Sequence, residues 1–243
     1  MQLNPELDLA AARTRLDADR RGIIRDVLDT RSIKRVAKAA GEIPRWNLVT
    51  QLAGRHMDLD AVGMADLPAQ QRVEFEEQVH AVGRKGFQYL YENFPLYDKA
   101  HNGSLREDAP MLANLFDWLN GEDFLGAMRE VLDAPDIGFV DAQLTCYRGG
   151  HYLTTHDDAV DGKGRVAAYI LSLTEGWKPD WGGQLQFYSE DGEVEAAYVP
   201  RFNSLSLLKV PQLHAVSPVA PYATRPRLSI TGWLRIGEDP GPG

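Results

Sequence analysis

A histidine and an aspartate two residues apart are the chain's first candidates for metal chemistry. His156 and Asp158 lie in the segment Tyr-Leu-Thr-Thr-His-Asp-Asp at 152–158. Side chains two residues apart on a strand point to the same side, so a strand here would direct an imidazole and a carboxylate towards one point. A His-x-Asp pair also arises by chance in a solvated acidic loop. The tripeptide alone does not separate these two interpretations.

A third ligand would complete a site of two histidines and one carboxylate, which leaves coordination positions open for other molecules. This ligand should come from a distant strand. His214 is the only histidine that follows His156, so a downstream ligand has one candidate. A three-histidine site of the cupin type is disfavoured, because only one histidine lies downstream of His156.

An arginine near the C-terminus is a candidate for binding an anion. Arg227 opens an apolar-polar alternating run and shares a face with Ser229 and Thr231. A guanidinium holds a carboxylate through two parallel, charge-assisted hydrogen bonds. Arg225 competes for this role, but Pro226 makes an extended start before Arg227 awkward. We therefore favour Arg227 as the anion ligand.

The first half of the chain has mainly helical patterns. Asn4 before Pro5 is typical of a helix start, and Thr30 could cap a segment that Gly41 closes. Apolar residues recur at loosely helical spacing from Ala69 to Tyr91. Two further helices are expected at 111–118 and 124–132, separated by Asn120-Gly121.

The second half has strand patterns, in which apolar and polar residues alternate or form short apolar runs between turn residues. Strands are expected at 142–147, 166–173, 185–188, 194–198, 204–210 and 227–235. Helices followed by regularly spaced strands indicate an α+β chain with a sandwich or barrel in its C-terminal half. We expect one domain over 1–243, with mainly helical support at 1–135 and the barrel core at 136–236.

The composition excludes several classes of protein. The chain has 243 residues and a net charge of −9, and an acidic chain is a poor general binder of nucleic acid. One cysteine, Cys146, excludes an intrachain disulfide and a cysteine-rich zinc site. No apolar run is long enough to span a membrane, and residues 1–15 lack the apolar core of a signal peptide. We expect a cytoplasmic location and no membrane or direct nucleic-acid partner.

Four segments together resemble the iron(II)- and 2-oxoglutarate-dependent oxygenases, specifically their prolyl hydroxylase branch. The resemblance covers about residues 146–234, with hydroxylases of a small-subunit ribosomal protein as the nearest type and hypoxia-sensing enzymes as cousins. The segments are Tyr-Leu-Thr-Thr-His-Asp-Asp (152–158), Tyr-Ile-Leu-Ser-Leu-Thr (169–174), Trp-Gly-Gly-Gln-Leu-Gln-Phe-Tyr (181–188) and Arg-Leu-Ser-Ile-Thr-Gly-Trp (227–233).

The resemblance implies a double-stranded β-helix (jelly roll) core with iron bound by His156, Asp158 and His214. It implies 2-oxoglutarate as cosubstrate, with dioxygen, and with ascorbate as an optional addition. By the same likeness Arg227 holds the distal carboxylate of 2-oxoglutarate, and Tyr147 and Trp233 line the pocket. The implied reaction is hydroxylation of a prolyl residue in a protein, with a ribosomal protein as a candidate substrate.

One departure from the family pattern concerns the cosubstrate. Close relatives carry a tyrosine that helps to hold the distal carboxylate where this chain has Ser172. The shorter serine could act through a water, or Tyr147 or Thr231 could take over its role. Two alternative functions stay open: the same oxidation of a free amino acid, small metabolite or other peptide, and a non-catalytic sensor of metal and 2-oxoglutarate.

Overall fold

The structure is a computed structural model that describes residues 1–242, and it contains helices and strands in both halves of the chain. The helices are α1 Leu9–Asp19, α2 Thr30–Gly41, α3 Ala61–Ala65, α4 Ala69–Gly83, α5 Leu96–His101, α6 Leu105–Asp108, α7 Pro110–Leu119 and α8 Glu122–Leu132. The strands are β1 Arg21–Arg25, β2 Asn47–Leu52, β3 Arg55–Asp60, β4 Tyr89–Phe94, β5 Ile137–Val140, β6 Gln143–Tyr147, β7 Tyr152–His156, β8 Arg165–Ser172, β9 Leu185–Tyr188, β10 Val194–Tyr198, β11 Ser204–Lys209, β12 His214–Val216 and β13 Arg227–Ile236. Among the helices of residues 1–242, none combines the length and the apolar character needed to cross a bilayer.

The strands form one curled antiparallel sheet that makes a half-barrel. Its main order is β1-β11-β8-β13-β6-β4-β7-β12-β9-β10, with β2 and β3 added beside β4 and β5 beside β13. This arrangement confirms the α+β class and the six strands expected in the second half. It also puts strands from the first half into the same sheet as the C-terminal strands.

Three predictions about the ends of helices are wrong. Asp29 and not Thr30 caps α2, because the Asp29 carboxylate accepts a hydrogen bond from the Ser32 amide at 2.9 Å. The first helix begins at Leu9 and not at Asn4, because the Asp8 carboxylate caps it by accepting a hydrogen bond from the Ala11 amide at 2.8 Å. The helix that starts at Ala69 ends at Gly83, and residues from Tyr89 onwards form β4. Alternating burial along β4 fits the sheet, where its partners β2, β6 and β7 pair with it.

The main core lies between the helices and one face of the sheet. Helix α7 supplies six buried residues to it, and α8 packs beside it with Phe124 and Met128 fully buried. The opposite face of the sheet is the inside of the half-barrel. Small apolar clusters close part of that interior, one around Phe187 and Leu208 and one around Trp177 and Trp181. The polar residues that remain on this inner face form the candidate site.

Candidate active site

A cavity of about 380 Å³ opens on the inner face of the half-barrel. Its walls include the apolar residues Ala168 and Leu185, and the polar residues that the motifs indicated also line it. The predicted site residues that line it are Tyr147, His156, Asp158, His214, Arg227, Thr231 and Trp233. Seven of the eight predicted residues therefore meet in one cavity.

His156, Asp158 and His214 come together at the cavity as one cluster. The His156 Nε2 atom lies 3.3 Å from Asp158 Oδ1, and the His214 Nε2 atom lies 3.4 Å from Asp158 Oδ2. One nitrogen or oxygen of each residue falls within 4.8 Å of the others. Three donor atoms at such distances can share one metal ion.

Strand register brings the two histidines together. His156 ends β7 and His214 begins β12, and the two residues are direct partners across these strands. Asp158 lies beyond the end of β7 with a φ of 65°. The sequence suggested that strand alternation directs the Asp158 carboxylate to this point. The structure differs, because Asp158 lies outside the strand. A turn in the left-handed region, which aspartate tolerates better than most residues, brings the carboxylate to the same point.

Backbone carbonyls fix the orientation of both imidazoles. The Nδ1 atom of His156 lies 2.9 Å from the Thr154 carbonyl oxygen, and that of His214 lies 2.7 Å from the Gln212 oxygen. A carbonyl only accepts, so each Nδ1 carries the proton and each Nε2 presents its lone pair to the cluster. Such a second hydrogen bond is typical of metal-binding histidines.

Burial and the neighbouring charges set the protonation of the cluster. Burial lowers the pKa of His214, which favours the neutral imidazole that binds metals. Burial alone would raise the pKa of Asp158. In the metal-free site His156 and His214, when protonated, stabilise the Asp158 carboxylate through a hydrogen bond from His156 and through their charges, and this outweighs burial and lowers that pKa. A neutral imidazole and an ionised carboxylate are the forms in which these residues ligate a cation.

Arg227 is a buried cation at the inner end of the same cavity. Only 3% of its surface is exposed, and its Nε and Nη1 atoms have no hydrogen-bond partner within residues 1–242. Its guanidinium lies 5.1 Å from the centre of the Tyr147 ring. A buried, unpaired charge is costly unless an anion compensates it. The position of Arg227 therefore favours a carboxylate ligand. Arg225, the alternative candidate, is exposed, and its Nη1 donates to the Glu175 carbonyl.

Ser172 is the predicted residue that does not line the cavity. It is buried on β8 as the register partner of Ser229, and its hydroxyl has no partner among the described residues. Thr231 and Trp233 lie on β13 and do reach the cavity. The Trp233 indole nitrogen is also buried without a partner. Unsatisfied buried donors of this kind indicate that a polar ligand completes the site.

The site includes residues that the sequence did not indicate. Phe87, Tyr89 and Tyr91 line the cavity from the β4 side, and the Tyr91 ring stacks on Tyr147 at 5.0 Å. Their spacing of two residues was a signal for a strand, but it was assigned to the end of a helix. Arg165, at the start of β8, donates to the Asp158 carbonyl at 2.9 Å and covers the Trp233 ring at 3.5 Å. Nothing in its sequence context distinguished it from a surface arginine.

The residues present fit an iron site with a dicarboxylate beside it. Two imidazoles and one carboxylate on one side of a shared point are the donor set of non-haem iron(II) oxygenases. The unpaired guanidinium of Arg227 lies in the same cavity, where a second ligand of opposite charge would satisfy it. Both observations come from the geometry of this chain.

Comparison with known proteins agrees with this assignment. Residues 142–235 match the model of the 2OG-Fe(II) oxygenase superfamily. Mouse (Mus musculus) prolyl 3-hydroxylase OGFOD1 is 32% identical over 120 residues, which cover 46% of this chain and 22% of that protein. The chain thus matches about a fifth of the length of this curated relative.

Solved structures of prolyl hydroxylases share the fold. A Pseudomonas putida prolyl-4-hydroxylase aligns with a TM-score of 0.60 at 18% identity, over 95% of this chain and 100% of that one. A Trichoplax adhaerens prolyl hydroxylase, solved with a peptide of the hypoxia inducible factor oxygen degradation domain, aligns with a TM-score of 0.57 at 14% identity, over 94% and 89% of the two chains. The half-barrel is thus the double-stranded β-helix fold, as the sequence resemblance implied.

Sequence match, fold and donor set point to the same class of protein. Residues 142–235 resemble the 2OG-Fe(II) oxygenase superfamily, which implies Fe(II) as cofactor and 2-oxoglutarate and dioxygen as cosubstrates. Prolyl hydroxylases are among the proteins that the chain resembles, one in sequence and two in fold.

Proposed function

We propose that this chain is an Fe(II)- and 2-oxoglutarate-dependent dioxygenase that hydroxylates a prolyl residue in a protein substrate. The observation that carries the proposal is the buried, unpaired Arg227 in the same cavity as His156, Asp158 and His214. A site for a metal alone would not require this cation. A site for a metal and a dicarboxylate would.

Each residue has a physical task in this proposal. His156, Asp158 and His214 would hold the iron, and a set of only three protein ligands would leave room for small ligands. Arg227 binds the distal carboxylate of 2-oxoglutarate, and the Tyr147 hydroxyl donates to it. Burial raises the pKa of Tyr91 to about 12 and raises that of Tyr147 further, so both phenols keep their protons. Thr231 and Trp233 line the cavity that would hold the cosubstrate, and Ser172 lies outside this lining, buried on the adjacent strand β8.

The bound iron supplies oxidation of a C–H bond by dioxygen, with 2-oxoglutarate converted to succinate and carbon dioxide. The chain's own contribution is binding, orientation and the exclusion of water. Phe187, Leu185 and Ala168 make the wall behind the cluster apolar. Two fixed histidine tautomers hold the ligand atoms in place before the metal binds, which reduces the ordering that binding would otherwise need.

The opening of the cavity suits a polypeptide. Phe87 is 45% exposed at the opening, and its ring lies 5.3 Å from that of His156. Val160 is also exposed there. Exposed apolar side chains next to a catalytic metal are covered when a substrate with apolar groups binds. A peptide supplies the prolyl ring and the apolar groups of neighbouring residues, whereas a free amino acid supplies only its own side chain.

A ribosomal protein is our candidate substrate. The net charge of −9 favours a basic polypeptide partner through long-range attraction, and a cytoplasmic location would match such a target. Trapping tests this part of the proposal: an Asp158→Ala variant is incubated with cell extract, and the bound protein is identified by mass spectrometry. Recovery of a small-subunit ribosomal protein supports the candidate; recovery of a different protein rejects it and leaves the chemistry intact.

Release of succinate from 2-oxoglutarate tests the main proposal. The purified chain is supplied with Fe(II) and 2-oxoglutarate, and turnover is compared with a proline-containing peptide, with free proline and with neither. Stimulation by the peptide alone supports prolyl hydroxylation of a protein. Stimulation by free proline alone would assign the enzyme to small molecules, and binding of 2-oxoglutarate without any turnover would make the chain a sensor.

A further inference from the structure

A second cavity, of about 470 Å³, lies between β1 and β10, the strands at the two ends of the main sheet order. Four arginines line it, and we call it the arginine groove: Arg15, Arg21, Arg25 and Arg201. None of its lining residues belongs to the active-site cavity. The groove is therefore a separate feature of the surface.

The arginine groove concentrates positive charge on an acidic protein. Arg15, Arg25 and Arg201 are exposed and form no ion pair within residues 1–242. Arg21 is held in place differently. It bonds Glu195 across the groove at 3.0 Å, and its guanidinium lies 5.0 Å above the Phe187 ring. Asp19 is the one acidic residue in the lining. Three free guanidinium groups in a chain of net charge −9 are suited to an anionic ligand.

The strands on either side of the groove have free edges. Over the described part of the chain, β1 pairs only with β11 and β10 pairs only with β9. Each strand therefore has a row of backbone N–H and C=O groups without a strand partner. An extended peptide can add to such an edge through main-chain hydrogen bonds, with side-chain contacts giving specificity. Charged residues commonly protect edges from pairing, and here the charges are of one sign along β1, at Arg21 and Arg25.

We propose that the arginine groove is a docking site for an extended acidic segment of a partner protein, which pairs with the free edge of β1. Glutamate or aspartate side chains of the segment contact Arg25, Arg201 and Arg15, and its backbone continues the sheet. A strand edge favours a polypeptide over a nucleic acid, because nucleic-acid grooves rely on several aromatic platforms for stacking. Tyr198 is the one aromatic residue that lines this groove.

Binding of short fluorescent peptides tests the proposal. Strands β1 and β10 each have five residues, so a peptide of about seven residues covers either edge. The probe alternates Glu and Thr. A second peptide replaces each Glu by Lys, and a third keeps the Glu residues but replaces the Thr residues by Pro, which removes N–H donors. Fluorescence anisotropy measures each affinity for the full-length protein.

Protein variants distinguish binding in the arginine groove from general charge attraction to the protein surface. The double variant Arg25→Glu/Arg201→Glu changes two exposed residues of the groove, and Arg31→Glu/Arg35→Glu, at two exposed residues of α2, is the control with the same change in charge. We expect the Glu-Thr peptide to bind, the double variant to weaken binding at least about tenfold, and the control to bind within about twofold of the parent. Unchanged thermal unfolding of the double variant shows that its fold is intact.

Four results would overturn the proposal. The first is absence of Glu-Thr binding at low salt, and the second is equal binding of the parent and the double variant. The third is equal binding of the Glu-Thr and Glu-Pro peptides, which would indicate charge attraction without strand pairing. Tighter binding of a single-stranded RNA of the same charge would assign the groove to nucleic acid and would likewise reject a peptide partner.

Discussion

At the scale of single residues, the proposed chemistry depends on two buried charges of opposite sign. Asp158 carries negative charge between two imidazoles that are held by backbone carbonyls, and Arg227 carries positive charge without a partner. Each charge is costly to bury alone. Iron and a dicarboxylate together would compensate both. Binding of these two ligands would explain why buried donors of Arg227 and Trp233 have no hydrogen-bond partner among the described residues.

The first prediction concerns the metal. Asp158→Ala removes the carboxylate that both imidazoles face, so we expect affinity for Fe(II) or Mn(II) to fall about a hundredfold or more. Isothermal titration under anaerobic conditions measures this affinity. Asp157→Ala is the matched control, because Asp157 is exposed and its Oδ1 accepts, within residues 1–242, only from the Ala159 amide. Equal loss of affinity in both variants would contradict the assignment of Asp158.

The second prediction concerns the cosubstrate. Arg227→Leu removes the buried cation, and we expect the Kd for 2-oxoglutarate to rise about a hundredfold while metal affinity changes little. Quenching of tryptophan fluorescence in the Mn(II)-loaded protein reports this binding without turnover. Arg225→Leu, two residues away and exposed, should leave the Kd unchanged. If Arg225→Leu had the larger effect, the anion site would be misplaced.

At the scale of elements, the site depends on how β13 passes the segment before β6. Gly232 lies on β13, and a methyl group there would overlap the Asp141 carbonyl oxygen. That oxygen also accepts a hydrogen bond from the Tyr169 hydroxyl at 2.9 Å. The close approach holds β13, and with it Arg227, Thr231 and Trp233, at a fixed depth in the half-barrel.

The third prediction follows from this contact. In Gly232→Ala the added methyl group fits only if the β13 backbone moves away from the Asp141 backbone. We therefore expect the substitution to lower the free energy of unfolding by about 3 kcal/mol. Denaturant titration followed by circular dichroism measures the change. Gly41→Ala, at the end of α2 with nothing within 4 Å of an added methyl group, should be neutral or slightly stabilising. Equal stability of the two variants would show that β13 can move without cost.

The fourth prediction concerns β4 and the residues before it. Phe87→Ala removes the exposed ring beside His156, and we expect KM for a peptide substrate to rise about tenfold while the Kd for 2-oxoglutarate stays constant. Val73→Ala is the control, since Val73 is a comparably exposed apolar residue on α4 and does not line the cavity. A change in 2-oxoglutarate binding instead of KM would place Phe87 at the cosubstrate and not at the substrate.

The sequence predicted the elements that carry a local signal. Strands β6, β8, β9, β10, β11 and β13 show alternation or apolar runs between turn residues, and α7 and α8 are separated by Asn120-Gly121. The three ligand candidates and Arg227 could be proposed from the sequence because their segments occur in the order typical of the family. Each segment alone is a weak signal. Strand β4 was missed because the three-to-six-residue spacing of apolar residues continues past Gly83, where the helix ends. Tyr91 and Phe87 were lost from the predicted site for that reason.

At the scale of the whole molecule, the two halves of the chain share one sheet. Strand β1 pairs with β11, and β4 pairs with both β6 and β7. The Asn203 side chain accepts from the Leu28 amide at 3.0 Å and donates to the Leu28 carbonyl at 2.8 Å. No sequence pattern in one half reveals a partner in the other, because pairing depends on topology. The helical half therefore does more than support the barrel: it contributes strands to it.

The fifth prediction tests this interdependence. We expect fragments 1–135 and 136–243, expressed separately, to lack cooperative thermal unfolding, because each loses sheet partners and the main core is divided, with about two thirds of it in the first fragment and one third in the second. Circular dichroism and calorimetry of each fragment check this. A cooperatively folded 136–243 fragment that binds Fe(II) would show instead that the C-terminal region is an independent domain.

The central claim is that dioxygen is used to hydroxylate a prolyl residue at the site built by His156, Asp158, His214 and Arg227. The most direct test supplies the Fe(II)-loaded protein with 2-oxoglutarate, a proline-containing protein substrate and isotopically labelled dioxygen, and locates the label by tandem mass spectrometry. We predict one labelled oxygen atom on a proline ring, formed with the parent protein and absent with the Asp158→Ala variant. Succinate formed in step with substrate but with no labelled proline, or label at another residue type, would contradict the claim.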